Sequence, residues 1–211
     1  GPAVATDFIN RFQEDVQLMK LAGLTHYRTS IYWSRFLIDY ENVTVDEEYA
    51  AYYDQLFDAL LANGITPMIC LEHYELPGYL LEKYGGWGSK TVVELFVRYA
   101  EKVFARYHPK VTRWFTFNEP IVVQTRVYLD ALRWPYEQNT STWMQWNYHK
   151  VLATASVVKR FRELGYPGTV GCILNPEVTY PRSRAPHDLR AAEIYDLFYN
   201  RMFLDPLVHG V

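Results

Sequence analysis

The chain has 211 residues, 49% of them hydrophobic and 21% charged, with a formal net charge of −3 at pH 7. That balance is that of a soluble, folded protein, and it excludes a basic surface for nucleic acid or anionic lipid. No apolar run reaches the roughly 18 residues of a membrane span, and the opening GPAVATDFIN lacks the positive n-region and apolar h-region of a secretory signal.

TDFINRFQEDVQLMKLAG sets Phe8, Phe12, Val16 and Met19 at spacings of three and four, with Thr6 or Asp7 as N-cap and Gly23 as stop. This predicts a helix with one buried face. THYRTSIYW follows, β-branched and aromatic, short enough for a strand. DEEYAAYYDQLFDALLAN then reads as a helix closed by Gly64, and ITPMICLE as a buried strand. SKTVVELFVRYAEKVFARY is a third helix and VTRWFTF the strand after it. STWMQWNYHKVLATASVVKRFREL, closed by Gly165, is a fourth helix, followed by the strand GTVGCILN and a last helix, DLRAAEIYDLFYNRMF.

Strands with apolar residues on both faces, alternating with helices, predict βαβ units on a parallel sheet. No low-complexity linker interrupts them, so residues 1–211 read as one domain. The long segments all follow strands, which places the functional surface at the strands' carboxyl ends. Cys70 and Cys172 both fall in apolar strand-like runs, as reduced, buried thiols of a cytoplasmic protein would. Aromatic residues make up 17% of the chain, and such rings either build a core or line a sugar cleft.

YRTSIYWSRF, LEHYELPGYLLEKYGGW and WFTFNEP, in this order on successive strands, resemble glycoside hydrolase family 1, the β-glucosidase and 6-phospho-β-glucosidase family. The resemblance covers essentially the whole chain, and the segment from Ile173 to Gly210 looks most like the bacterial 6-phospho branch. It implies an α/β fold, a partial (β/α)8 TIM barrel of about four parallel strands matching the second to the fifth of the barrel. On that expectation the first barrel strand precedes Gly1 and the last three follow Val211.

Retaining glycosidases use two carboxyl groups about 5–5.5 Å apart, one to protonate the leaving oxygen and one to attack the anomeric carbon. By the resemblance, Glu119 is the acid/base and Asn118 the ligand of the sugar 2-hydroxyl. His73 binds glycone hydroxyls, Asn175 is an amide lining the site, and Arg28 orients the nucleophile. The family's Thr/Ser-Glu-Asn-Gly nucleophile block does not occur in these 211 residues. DYENVT around Glu41 lacks the glycine, and Glu72, Glu75 and Glu177 do not occupy the matching position. Arg28 is therefore expected as a buried guanidinium without its acid, and the chain alone as inactive. Tyr74 stands where many members carry Trp, and Trp33 and Trp87 are expected to pack. The implied substrates are β-glucosides or 6-phospho-β-glucosides, hydrolysed with no cofactor and no metal. The phosphate-binding residues of the 6-phospho branch belong to the later strands.

Two rivals differ in class. A metal-dependent barrel hydrolase has little support, because the six histidines form no H-x-H or H-E-x-x-H pair. A non-catalytic half-barrel, forming a homo-oligomer or joining a complementary barrel fragment, follows from the unpaired edges of a four-stranded sheet.

Overall fold

The computed structural model describes residues 5–210. Helix α1 (Phe8–Leu21) buries Phe12 and Val16. Asp7 takes its N-cap position, but the Asp7 carboxylate accepts from the Asn10 side chain at 2.8 Å rather than from a backbone N–H. Strand β1 (His26–Ser30) leads into a one-turn helix α2 (Trp33–Phe36) and a small antiparallel ribbon, β2 (Leu37–Asp39) with β3 (Thr44–Val45). Helix α3 (Glu47–Ala62) is capped by the Asp46 carboxylate, which accepts the Tyr49 N–H at 3.0 Å. Strand β4 (Thr66–Glu72) and helices α4 (Gly78–Tyr84) and α5 (Lys90–Tyr107) come next. Strand β5 (Arg113–Asn118), a short α6 (Val122–Gln124), the long α7 (Thr140–Leu164) and strand β6 (Thr169–Ile173) follow. Helix α8 (Pro186–Asp196) starts two residues earlier than expected, with Pro186 in its first turn. It passes into a π-helical turn, Leu197–Arg201, where the sequence predicts unbroken α-helix.

The four main strands are all parallel, in the order β1-β4-β5-β6. Each strand is joined to the next by helices that cover one face of the sheet, as in a segment of a β/α barrel. The core lies between that face and the helices, and it takes up much of the aromatic content. Trp33 stacks on Tyr99 at 5.3 Å and meets Phe96 at 5.3 Å and Trp87 at 6.1 Å. All four rings are buried, so Trp33 and Trp87 pack, as the sequence reading expects. Buried tyrosine hydroxyls find backbone carbonyls: Tyr99 donates to Ile31 and Leu71 at 3.0 and 3.2 Å, and Tyr53 to Ser30 at 3.0 Å. These bonds lock the carboxyl ends of β1 and β4 to the helices.

Strands β1 and β6 form the two edges of the sheet and are only half covered, whereas β4 is largely buried. Both cysteines are free, but only Cys70 is buried; Cys172, on the edge strand β6, is half-buried, which corrects the expectation for it. Among the described residues no helix is long and apolar enough to cross a membrane.

Candidate active site

The register of β5 against β6 slips between Phe115 and Asn118. A slip of this kind re-aims the side chains beyond it. Thr116 meets the Thr154 hydroxyl of α7 at 3.1 Å and Phe117 stacks on Phe96 of α5 at 4.9 Å, so both face the helices. Asn118 then turns to the concave side, where the Arg28 guanidinium donates to its Oδ1 at 2.8 Å.

Glu119 is left-handed, with φ 44°. A non-glycine residue held there costs on the order of 1–3 kcal/mol and persists only when its surroundings fix it. Its N–H donates to the Ile173 carbonyl of β6 at 2.8 Å, and its own carbonyl accepts from Val122 N–H at 3.0 Å. The helix begins only at Val122, so Asn118-Glu119-Pro120 is not simply a helix start. The half-buried Glu119 carboxylate accepts a hydrogen bond from the Tyr74 hydroxyl. Tyr74 is left-handed too, with φ 72°. Burial, then that bond to Glu119, holds the Tyr74 hydroxyl above its ordinary range.

The ring of His73 sits edge-on to Tyr74 at 4.9 Å, with Nδ1 3.4 Å from Ser30 Oγ. Partial enclosure, then the nearby Arg28 guanidinium, pushes its imidazole below the usual range. Arg28, Ser30, Tyr32, His73 and Tyr74 line a polar cavity of about 450 Å³. Arg28 is exposed there, not buried as expected, because the concave face of the sheet is open to solvent. Its guanidinium needs no buried acid to offset desolvation.

Asn175 lies just beyond β6 and donates to the Tyr199 hydroxyl at 2.9 Å. That hydroxyl is raised chiefly by burial, with smaller contributions from Glu177 and Glu119. Four of the expected residues, Arg28, His73, Asn118 and Glu119, thus gather around Tyr74, whereas Asn175 is bonded to Tyr199 and lines a separate small cavity. The sequence reading misses the hydroxyls of Tyr74 and Tyr199. Tyr74 carries a signal, a phenol in place of the usual indole; Tyr199, in the π-helical turn, carries none.

Glu41, Glu72, Glu75 and Glu177, the carboxylates weighed as nucleophile in the sequence, are engaged elsewhere. Glu41 accepts from Lys83, Tyr79 and Tyr84 at the rim, bonds that pull its carboxyl down to about 2. Glu177 accepts from Tyr195 at 2.6 Å, and Glu72 faces Lys150 at 3.6 Å. Glu75 Oε2 accepts the His73 backbone N–H at 2.8 Å, while its Oε1 is buried without a partner. No three His, Cys, Asp or Glu side chains among the described residues cluster in a way that could hold a metal ion.

Burial, then the charge of Glu72, raises the Glu75 carboxyl to about 8. Folded Glu75 therefore binds a proton that the unfolded chain releases near pH 4.5. Stability from this group is present below pH 4.5 and falls as pH rises towards 8, by an amount on the order of a few kcal/mol. Glu75→Gln is expected to flatten the stability profile between pH 5 and 8 and to raise stability at pH 8. Denaturant unfolding of the two proteins across that range checks it, and parallel profiles would contradict it.

The sequence matches the family model of glycosyl hydrolase family 1 over residues 2–211. The chain belongs to that family. Over 210 residues it is 39% identical to 6-phospho-beta-glucosidase GmuD of Bacillus subtilis, covering 100% of this chain and 45% of that protein. Beta-glucosidase A of Acetivibrio thermocellus is 33% identical, over 98% of this chain and 46% of the relative. The solved structure of SghA from Agrobacterium tumefaciens superposes with a TM-score of 0.91 at 34% identity, covering 99% of this chain and 46% of SghA. The family 1 chain thus spans under half the length of these relatives, and its parallel four-stranded sheet is part of the family's TIM barrel.

Proposed function

We propose that these 211 residues carry the acid/base half of a retaining β-glycosidase site, and that the whole enzyme hydrolyses 6-phospho-β-glucosides. The observation that carries this reading is the left-handed Glu119 at a strand's carboxyl end, with its carboxylate hydrogen-bonded beside an open polar cavity. Glu119 protonates the glycosidic oxygen as the bond to the leaving group breaks, then takes a proton from the water that releases the sugar. The Asn118 amide, aligned by Arg28, binds the 2-hydroxyl, a contact that tightens as positive charge develops on the ring. His73 binds glycone hydroxyls, and Asn175, held by the Tyr199 hydroxyl, lies beyond the end of the neighbouring strand β6. The chemistry needs no metal or cofactor. The nucleophile and the phosphate-binding residues are supplied by barrel strands beyond these residues. The phosphorylated substrate is supported by the likeness to GmuD, whose name is that of a 6-phospho-β-glucosidase; the β-glucosidases among the relatives make the unphosphorylated sugar the alternative.

A second reading, a half-barrel that pairs with another copy or a complementary barrel fragment, is supported by the half-covered edge strands β1 and β6. Pairing with a complementary barrel fragment is compatible with the first reading, since it would supply the missing carboxylate; pairing with a second copy would not, because that copy lacks the same nucleophile block. The two free cysteines fit a reducing, cytoplasmic setting.

Titrating the protein with an aryl β-glucoside and with its 6-phosphate, followed by NMR, tests the site. Shifts are expected at His73, Arg28 and Asn118 with both sugars, and His73→Ala should weaken binding about 10-fold or more, as loss of a hydrogen bond to a sugar hydroxyl does. Shifts confined to surfaces away from these residues would refute the assignment.

A further inference from the structure

Lys150, on α7, is 1% exposed, an unusual place for an ammonium group. Its Nζ lies 3.6 Å from the carboxylate of Glu72, itself 2% exposed at the end of β4. The cation also sits over the rings of Phe117, at 5.2 Å, and Trp87, at 5.9 Å. Lastly, it donates to the Pro120 carbonyl at 3.3 Å. Lys150 thus touches the residue before Asn118 and the residue after Glu119. A buried pair of this kind adds little to stability compared with apolar side chains of the same volume, because desolvation offsets the attraction. Its presence needs another explanation, and the backbone it touches supplies one. Glu119 occupies strained geometry, and the two backbone bonds of Glu119 itself fix only its own peptide groups. Within the turn closed by the Val122 bond, the Pro120 carbonyl accepts from the Lys150 ammonium, which ties the turn to α7.

We propose that Lys150 is a positioning residue: charge-paired to Glu72, it clamps the Phe117–Pro120 turn from the helix side and holds the left-handed Glu119 in place. The pair acts through the backbone and does not touch substrate. Its consequence for turnover rests on the reading of Glu119 as proton donor, but the clamp itself is a statement about backbone geometry. It can therefore be tested separately.

The discriminating protein is the double variant Glu72→Met/Lys150→Met, which removes both charges and leaves volumes near those of the native side chains. If the pair is a clamp, the denaturation midpoint stays near that of the native chain while the turn loosens. Amide hydrogen exchange read residue by residue should then speed up at least 10-fold at Glu119 and Val122, whose N–H groups make the bonds that define the turn. The amides of Ile69 and Trp114, in the strand interiors, should keep their protection. A purely structural pair would leave Glu119 and Val122 as protected as in the native chain once stability is restored, and that result overturns the proposal. Failure of the double variant to fold would overturn it too, since the pair would then be required by the fold as a whole. Because the exchange measurement involves no sugar and no turnover, its outcome is independent of whether Glu119 proves to be the acid.

Discussion

An aryl β-glucoside 6-phosphate incubated with the purified 211-residue protein is expected to release its aglycone no faster than in buffer. Retention requires a second carboxylate about 5–5.5 Å from the first, on the opposite side of the anomeric carbon. The candidates in this chain are committed to other partners: Glu41 to Lys83, Glu72 to Lys150, Glu75 to the His73 backbone and Glu177 to Tyr195. A positioned general acid alone contributes roughly 10²–10⁴-fold, far short of the roughly 10⁶–10¹⁷-fold that enzymes reach. Where the rest of the barrel is present, Glu119→Gln should remove that same 10²–10⁴-fold from turnover. Turnover by the short protein that disappears in Glu119→Gln would sink the account.

Trp33→Ala is expected to cost about 3–5 kcal/mol of folding stability, the usual penalty for truncating a fully buried large aromatic. Trp33, the first residue of α2, is 0% exposed and joins it to α5 through its stack on Tyr99 and its contact with Phe96, with Trp87 packed alongside. Its indole N–H is buried without a hydrogen-bond partner, so Trp33→Phe gives up ring area but relieves an unsatisfied donor. The phenylalanine variant should therefore lose much less than the alanine variant. Urea unfolding of all three proteins measures both effects. Native stability in Trp33→Ala, with weakened sugar binding, would instead place this ring in the cleft.

The elements with a long apolar period were legible in the sequence. In α5, Val92, Leu95, Phe96, Tyr99, Val103, Phe104 and Tyr107 repeat at helical spacing and all are buried. The parallel order of β1, β4, β5 and β6 follows from the helices between them. What escaped is short or depends on distant partners. Helix α2 has four residues and β3 two, less than the pattern needs to declare itself. The π-helical turn at Leu197–Arg201 looks like continuous helix because its apolar spacing barely changes. At the site, motif resemblance named Arg28, His73, Asn118, Glu119 and Asn175, yet it could not give their geometry, which gathers the first four around Tyr74 and leaves Asn175 with Tyr199. The exposure of Arg28 depends on how the concave face is covered, a property of the sheet and not of the local string. The bond from Tyr74 to Glu119 spans 45 residues, and the clamp of Lys150 on Pro120 spans 30. Neither has a local signature.

Intact mass spectrometry tests whether these 211 residues hold a proton donor without an attacking carboxylate. The protein, its length verified, is incubated with an activated 2-deoxy-2-fluoro-β-glucoside, with and without a 6-phosphate. An unchanged mass with both reagents is expected, because Glu41, Glu72, Glu75 and Glu177 are held by Lys83, Lys150, the His73 backbone and Tyr195. A gain of one fluorosugar unit, mapped to any carboxylate of this chain, would contradict it.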